Sequence, residues 1–303
     1  MERPLKKPLP AGLDGEPLIC LRCGTLNLHD ARYCGHCGVP FIVPDTDFNL
    51  VALGSARTSV GQVRTNNEDN VALWAIDGVL LALVADGLGG EAAGEQASRL
   101  AVEAVQADFL GEEREAELLH TLSEDDLSQR MTNAIRAANR AVFERSRSDL
   151  HLKGMGTTST LALVRGNRAL IAHVGDSRAY LIDGHEGSIH QVTNDHSFTQ
   201  ALVASGHITA EQATGHPMSN VLYRALGQQP EVEVDIFSRY VKSGDRLVMC
   251  SDGLTRHVPP ADILQVVQDT STPQQTTAKL INLTNERGAQ DNVSAIVIML
   301  TED

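Results

Sequence analysis

The sequence has no apolar stretch long enough to cross a membrane and no run of basic residues. Its longest apolar stretch, residues 79–85, has seven residues, whereas a membrane-spanning helix needs about 20. Only 25 Lys and Arg stand against 39 Asp and Glu, so the formal net charge is −14, and such a surface repels a phosphate backbone. Prolines interrupt residues 1–15, where a signal peptide would need an apolar segment. We therefore expect a cytoplasmic protein that binds neither membranes nor nucleic acid.

Cysteine is almost absent outside the N-terminal region, since four of the five cysteines fall between residues 20 and 37. They form two C-x₂-C pairs, each followed by glycine: Cys20, Cys23, Cys34 and Cys37. Four thiolates at this spacing suit one tetrahedral structural Zn²⁺, which would supply the folding energy that so short a segment lacks. Disulfides suit a secreted chain better, and a redox C-x-x-C needs different surroundings. His36 is an alternative fourth ligand.

Proline marks the domain boundary, because six of the 11 prolines lie in the first 44 residues. We predict a flexible tail over 1–17, a zinc ribbon over 18–40, a linker over 41–47 and the main domain over 48–303.

The main domain combines aliphatic blocks typical of strands with two helical patterns. A helix is predicted after Ser123, whose acidic first turn suits an N-terminus, and another near residues 94–109. Because the strands come in consecutive pairs, we expect an α+β fold with antiparallel sheets covered by helices. The predicted strands are 71–76, 79–85, 158–164, 169–174, 179–182, 246–250 and 293–300.

Acidic residues recur at the ends of these strands, in RTNNED, DGLGG, SDG and QDN. Each Asp-Gly taken singly is typical of a turn. Several carboxylates gathered at one place are costly unless cations neutralise them, and hard divalent metals prefer oxygen ligands. The four stretches together therefore predict a metal site.

The sequence resembles the bacterial branch of the PP2C (PPM) family of metal-dependent protein Ser/Thr phosphatases. The resemblance covers about residues 50–301. It implies a central antiparallel β-sandwich flanked by helix layers, with a flap over about 197–227 beside a two-metal site. The motifs that carry it are, in chain order, VRTNNED, VADGLGG, GMGTTST, VGDSRAY, TNDHS, GHITAEQATGHPMSNVLYRALG, CSDGL and DNVS.

The resemblance also implies site roles. Water activated by two Mn²⁺ or Mg²⁺ ions would hydrolyse phosphoserine or phosphothreonine, with Asp86 bridging the ions and Arg64 binding the substrate phosphate. Phosphorylated proteins are the implied substrates, including a bacterial-type Ser/Thr kinase and its targets, and we expect a monomer. The implied metal ligands are Glu68, Asp69, Asp86, the carbonyl of Gly87, Asp252 and Asp291.

The sequence departs from the family pattern at two positions. Leu88 stands where eukaryotic relatives have a histidine that can donate a proton to the leaving group. Asp195 is the candidate ligand of a third, weaker metal, but Lys153 replaces an acidic residue expected nearby and would repel a cation. We therefore expect no third metal or a very weak one. His207 and His216, on the flap, are expected to be surface residues rather than proton donors.

Two rival functions remain open. Cys250 and Arg256 satisfy C-x₅-R, the phosphate-binding pattern of cysteine-dependent phosphatases, although Asp252 within that loop would repel phosphate. The other rival is a phospho-reader or scaffold that keeps the fold without activity.

Overall fold

The computed structural model describes residues 18–19, 26–27, 50–76, 78–111, 119–213 and 215–302. The chain divides into two compact units, Met1–Phe48 and Asn49–Asp303. In the N-terminal unit, strands β1 (Leu18–Ile19) and β2 (Leu26–Asn27) form an antiparallel pair. The four predicted zinc ligands, Cys20, Cys23, Cys34 and Cys37, lie outside the described residues.

The second unit contains two antiparallel sheets. The first comprises β4 (Asp69–Ile76), β5 (Val79–Leu88), β6 (Gly156–Thr157), β7 (Ser159–Arg165), β8 (Arg168–Val174) and β11 (Asp235–Tyr240). The second comprises β3 (Leu50–Ser59), β9 (Arg178–Asp183), β10 (Ser188–Gln191), β12 (Arg246–Cys250) and β13 (Val293–Glu302). Their strand orders are β11-β8-β7-β5-β4, with β6 paired to β5, and β10-β9-β12-β13-β3.

The helices surround these sheets. Ser123 caps the longest helix, because its side chain accepts a hydrogen bond from the Asp126 N–H, and three acidic residues fill the first turn. Among the described residues, no helix is both long enough and apolar enough to span a membrane. The helices are α1 (Glu91–Leu110), α2 (Glu124–Ser148), α3 (Phe198–Ala204), α4 (Ala210–Ala213), α5 (Asp252–Thr255), α6 (Pro260–Gln268) and α7 (Pro273–Glu286).

Three apolar cores hold the layers together. Alternate residues of β5 point to opposite faces, as strand geometry requires. Leu81 and Leu83 pack against α1 and α2, whereas Leu80 and Val84 face the second sheet in the core of the sandwich. Helices α6 and α7 cover the outer face of the second sheet. The layer order is therefore helix, sheet, sheet, helix.

The structure confirms the predicted antiparallel sheets with helices packed against them, and it extends the predicted strand list. Strands β3, β10 and β11 were not predicted, since each mixes polar residues with apolar ones and is partly exposed. The strand predicted over 79–85 continues to Leu88. As a result, Asp86 and Gly87 lie within the end of β5 rather than in a turn.

Candidate active site

A polar pocket lies at the end of β5, where α1, α5 and the segment before β13 meet. Its volume of about 170 Å³ is smaller than that of most sites for drug-sized apolar ligands. The polar lining suits a small charged group. Five carboxylates and two arginines line it: Glu68, Asp86, Asp176, Asp252, Asp291, Arg64 and Arg256.

Two glycines allow the backbone to close around Glu68. A Cβ on Gly94, in the first turn of α1, would lie 1.8 Å from Glu68 Oε2, and one on Gly87 would lie 2.2 Å from the Gly94 carbonyl oxygen. The Gly87 N–H donates to the Glu68 carbonyl at 3.2 Å. Only residues without a side chain permit so close an approach, so these glycines fix the position of Glu68 beside the end of β5.

Asn292 joins three loops at the site. Its Oδ1 accepts from the Glu68 N–H at 2.8 Å, and its Nδ2 donates to the carbonyls of Asn66 and Val60. A Cβ on Gly253 would lie 2.0 Å from the Asn292 carbonyl oxygen, so glycine is required there as well. These contacts bring the segment of Arg64 and Glu68 against that of Asp252 and Asp291.

The GMGTTST motif holds Asp86 from the other side. The Thr158 N–H and the Thr157 hydroxyl both donate to the Asp86 carbonyl at 2.8 Å, and the Asp86 N–H donates to Thr158 Oγ1 at 3.0 Å. These threonines are buried. Their role is therefore structural.

The carboxylates raise one another's pKa. Burial raises the pKa of Asp69 to about 7, even though the Ser251 hydroxyl donates to Asp69 Oδ2 at 2.7 Å. The pKa of Asp86 is raised well above its usual range by burial and by the charges of Asp69 and Asp252. Burial, together with the charge of Asp291, also raises the pKa of Asp252. The pocket is therefore short of positive charge.

Two arginines bind to the carboxylates from opposite ends. Arg64 Nη2 donates to Asp291 Oδ2 at 3.1 Å and its Nη1 lies 3.7 Å from Glu68 Oε1. Arg256 Nη2 binds Asp252 Oδ2. Within the described part of the chain, no three His, Cys, Asp or Glu side chains are arranged to hold a metal ion. Metal binding at Glu68 and Asp291 would thus require side-chain movements that release Arg64, whereas Arg256 occupies one oxygen of Asp252.

Most of the predicted site residues meet at this pocket. Arg64, Glu68, Asp86, Gly87, Asp252 and Asp291 line it, as does Leu88. Asp69 lies beneath it as the neighbour of Asp86 across β4 and β5.

Asp195 does not line the pocket, and neither do Lys153, His207 or His216. Asp195 forms an ion pair with Arg178, whose Nη2 lies 2.7 Å from its Oδ2, and also accepts a bond from Gln191. Lys153 and His207 are exposed, and His216 is half-buried. The charge that Lys153 was expected to bring to Asp195 is supplied by Arg178.

Sequence reasoning gave no metal-binding or substrate-binding role to several lining residues, among them Asp176, Arg256, Asn220 and Leu222. Asp176 entered only as part of the VGDSRAY motif, and Arg256 only through the C-x₅-R pattern. Asn220 and Leu222 belong to the flap segment, residues 197–227. Within this segment, Ser197 and Leu222 form an isolated antiparallel β-bridge. An acidic residue two positions after a buried strand was the available signal for Asp176, since β8 ends at Val174.

Cys250 is fully buried in the core between the second sheet and its helices, and it does not line the pocket. Burial raises the pKa of its thiol to about 12, whereas a nucleophilic cysteine needs a lowered pKa and access to substrate. The structure gives no support to a cysteine-dependent phosphatase.

The chain is similar in sequence to known protein phosphatases. Residues 57–297 match the family described as Protein phosphatase 2C. Serine/threonine phosphatase stp of Listeria monocytogenes is 34% identical over 243 residues, which cover 80% of this chain and 93% of that protein. Serine/threonine protein phosphatase PstP of Mycobacterium tuberculosis is 39% identical over 248 residues, 82% of this chain and 45% of PstP.

Solved structures agree with these sequence matches. The catalytic domain of PstP in complex with two manganese ions superposes with a TM-score of 0.71 at 37% identity, covering 84% of this chain and 100% of that structure. The chain therefore belongs to the protein phosphatase 2C family and is a serine/threonine protein phosphatase, which acts on phosphorylated proteins.

Proposed function

We propose that this phosphatase hydrolyses phosphoserine and phosphothreonine with two Mn²⁺ or Mg²⁺ ions bound at the carboxylate pocket. The proposed ligands are Glu68, Asp86, the carbonyl of Gly87, Asp252 and Asp291. The observation that carries the proposal is the gathering of five carboxylates against two arginines in one small pocket.

The donor set fits hard divalent cations. All the side-chain donors are carboxylates, and burial and mutual repulsion raise the pKa of Asp86 and Asp252. Cations with oxygen ligands would relieve this repulsion. The two manganese ions bound by the PstP catalytic domain support the same chemistry. When bound, such ions lower the pKa of water and offset the negative charge of a phosphoryl group.

Asp69 has a supporting role in this proposal. It lies opposite Asp86 in the strand pair and receives the Ser251 hydroxyl bond. It is only 4% exposed, so it would support Asp86 by packing and would not contact substrate.

Arg64 is proposed to bind the substrate phosphate. Its side chain is 44% exposed, and its present partners, Asp291 and Glu68, are themselves proposed metal ligands. When cations occupy those carboxylates, the guanidinium becomes free to donate two parallel hydrogen bonds to a phosphate.

Water is the proposed proton donor to the leaving group. Leu88 lines the pocket and has no proton to donate, and no histidine is among the lining residues of the described chain. We therefore expect substrates with acidic leaving groups, such as p-nitrophenyl phosphate, to be hydrolysed faster than alkyl phosphates.

A third ion at Asp195 would have to displace Arg178 from that carboxylate. The proposed site therefore contains two ions and not three.

The test is hydrolysis of a phosphothreonine peptide against Mn²⁺ concentration. We expect no turnover in excess EDTA, and a loss of several orders of magnitude in kcat for Asp86→Asn. Asp269→Asn is the control, because Asp269 is an exposed carboxylate paired with Lys279 and does not line the pocket. Full activity with EDTA or in Asp86→Asn contradicts the proposal.

The N-terminal cysteines and the partners complete the proposal. The spacing of Cys20, Cys23, Cys34 and Cys37 supports one structural Zn²⁺ in a ribbon over 18–40. A Ser/Thr kinase of bacterial type and its targets are the proposed physiological substrates, with the phosphatase acting as a monomer.

A further inference from the structure

Arg256 is a cation in the pocket that the proposed hydrolysis does not use. It follows the short helix α5 and lies four residues after Asp252, so its guanidinium reaches back to the Asp252 carboxylate. The side chain is 37% exposed and lines the pocket with Arg64. The Arg256 backbone N–H also donates to the Asp252 carbonyl at 3.0 Å, which fixes where the side chain begins.

Asp176 lies close to the same pair. It is 9% exposed and lines the pocket, yet within the described part of the chain its carboxylate makes no hydrogen bond or ion pair shorter than 4 Å. Burial and the negative charges of Asp252 and Asp195 raise the pKa of Asp176. The positive charges of Arg256 and Arg178 partly offset this increase. Asp176 and Asp252 are therefore two like charges in one poorly solvated place.

The nearby Arg178 makes hydrogen bonds to a different carboxylate, Asp195. Its Nε lies 3.0 Å from each oxygen of Asp195, and its Nη2 lies 2.7 Å from Oδ2. Such a two-pronged contact commits the guanidinium to one carboxylate. Of Arg178 and Arg256, the two arginines whose charges act on Asp176, Arg256 is the one that lines the pocket.

We propose that Arg256 acts as a built-in counter-charge for Asp176 and Asp252, and thereby limits the pocket to two divalent ions. This inference rests on the proposed function, because it assumes that divalent ions bind the other carboxylates. Arg256 is a positioning residue in this sense: it holds Asp252 and keeps further cations away from Asp176.

Charge in the pocket supports this assignment. Counted as ionised, the five lining carboxylates and two lining arginines have a formal charge of −3, which two divalent ions change to +1. A site of that charge attracts a phosphate dianion and repels another cation. Without the Arg256 charge, the same two ions leave the pocket neutral, and Asp176 is free to bind a further ion.

The size of the effect follows from the Coulomb energy. A unit charge and a divalent ion about 5 Å apart repel each other enough, even at the dielectric constant of water, to change affinity on the order of tenfold. Removing the guanidinium also releases the Asp252 oxygen that it now binds. Both changes favour metal binding in the variant.

The experiment is to titrate Mn²⁺ into the full-length metal-free protein by calorimetry and to count bound Mn²⁺ by elemental analysis after desalting. Arg256→Gln removes the charge, Arg256→Lys keeps it, and Arg256→Met serves if the glutamine variant does not fold. Arg287→Gln is the matched control, since Arg287 Nη2 lies 2.7 Å from Asp262 and both side chains are 38% exposed.

We expect Arg256→Gln to bind one more Mn²⁺ than the wild type, or to bind its weakest ion about tenfold more tightly, with Arg256→Lys and Arg287→Gln like the wild type. If the wild type binds Mn²⁺ and the Arg256→Gln isotherm is the same or weaker, this inference is wrong and the proposed function stands. If neither protein binds Mn²⁺, both are overturned.

Discussion

Gly94→Ala tests how the fold positions Glu68. The added Cβ would lie 1.8 Å from Glu68 Oε2 and 2.8 Å from its Cδ, whereas real Cβ atoms essentially never come within 3.0 Å of another heavy atom. The carboxylate must therefore retreat by at least about 1.2 Å, the difference between the 1.8 Å approach and the 3.0 Å limit. Metal–ligand distances tolerate only about 0.2 Å.

The same substitution should leave the fold intact. Alanine is about 1 kcal/mol more favourable than glycine inside a helix, and the clashing atom is the end of a flexible side chain. We expect a melting temperature within a few degrees of the wild type, and a kcat/KM about 100-fold lower, because a displacement of about 1 Å at a reactive site costs that much.

A double-mutant cycle assigns the loss to Glu68. Peptide hydrolysis is measured for Gly94→Ala, Glu68→Gln and the double variant, and we expect Glu68→Gln to cost far less in the Gly94→Ala background than in the wild type. Ala92→Gly, at an exposed position in the same turn, controls for helix propensity. Fully additive losses, or wild-type activity in Gly94→Ala, would refute the reasoning.

Three further predictions concern other parts of the chain. Deleting residues 1–46 should remove about one equivalent of Zn²⁺ and leave kcat on a small substrate largely intact; a folded but inactive truncation contradicts this. Because the pKa of Asp69 is about 7 in the folded protein against 3.8 ordinarily, the metal-free protein should lose up to about 4 kcal/mol of stability as pH rises from 4 to 7. Asp69→Asn should reduce that dependence in urea titrations, and an unchanged slope refutes it. Iodoacetamide should not inactivate the native enzyme, since Cys250 is buried. Rapid inactivation by alkylation of Cys250 would show that this thiol is accessible and reactive.

The order of the acidic motifs was enough to predict four of the five carboxylates that line the pocket. Asp86, Asp252 and Asp291 each adjoin an apolar strand in the sequence, and antiparallel pairing brings those strand ends to one edge of the sandwich. The strongly apolar strands were predicted for the same reason: a strand buried on both faces is a continuous aliphatic run. The partly exposed β3 has no such run and was missed.

Side-chain pairing could not be predicted from the sequence. Arg178 and Asp195 are 17 residues apart, and nothing in that spacing shows that they bind each other. Nor does the sequence show that Asp176 lines the pocket. Both depend on how β8, β9 and the segment before α3 pack together. The expectation that Lys153 governs charge near Asp195 failed to anticipate Arg178 for the same reason, since it rested on sequence distance alone.

The most direct test of the central claim is a crystal of the full-length protein soaked in Mn²⁺ and measured at the manganese absorption edge. We predict two anomalous peaks at the pocket, both within ligand distance of the Asp86 carboxylate, with Asp252 and Asp291 bound to one of them. Anomalous peaks remote from Asp86, in crystals of a protein whose peptide hydrolysis depends on Mn²⁺, would contradict it.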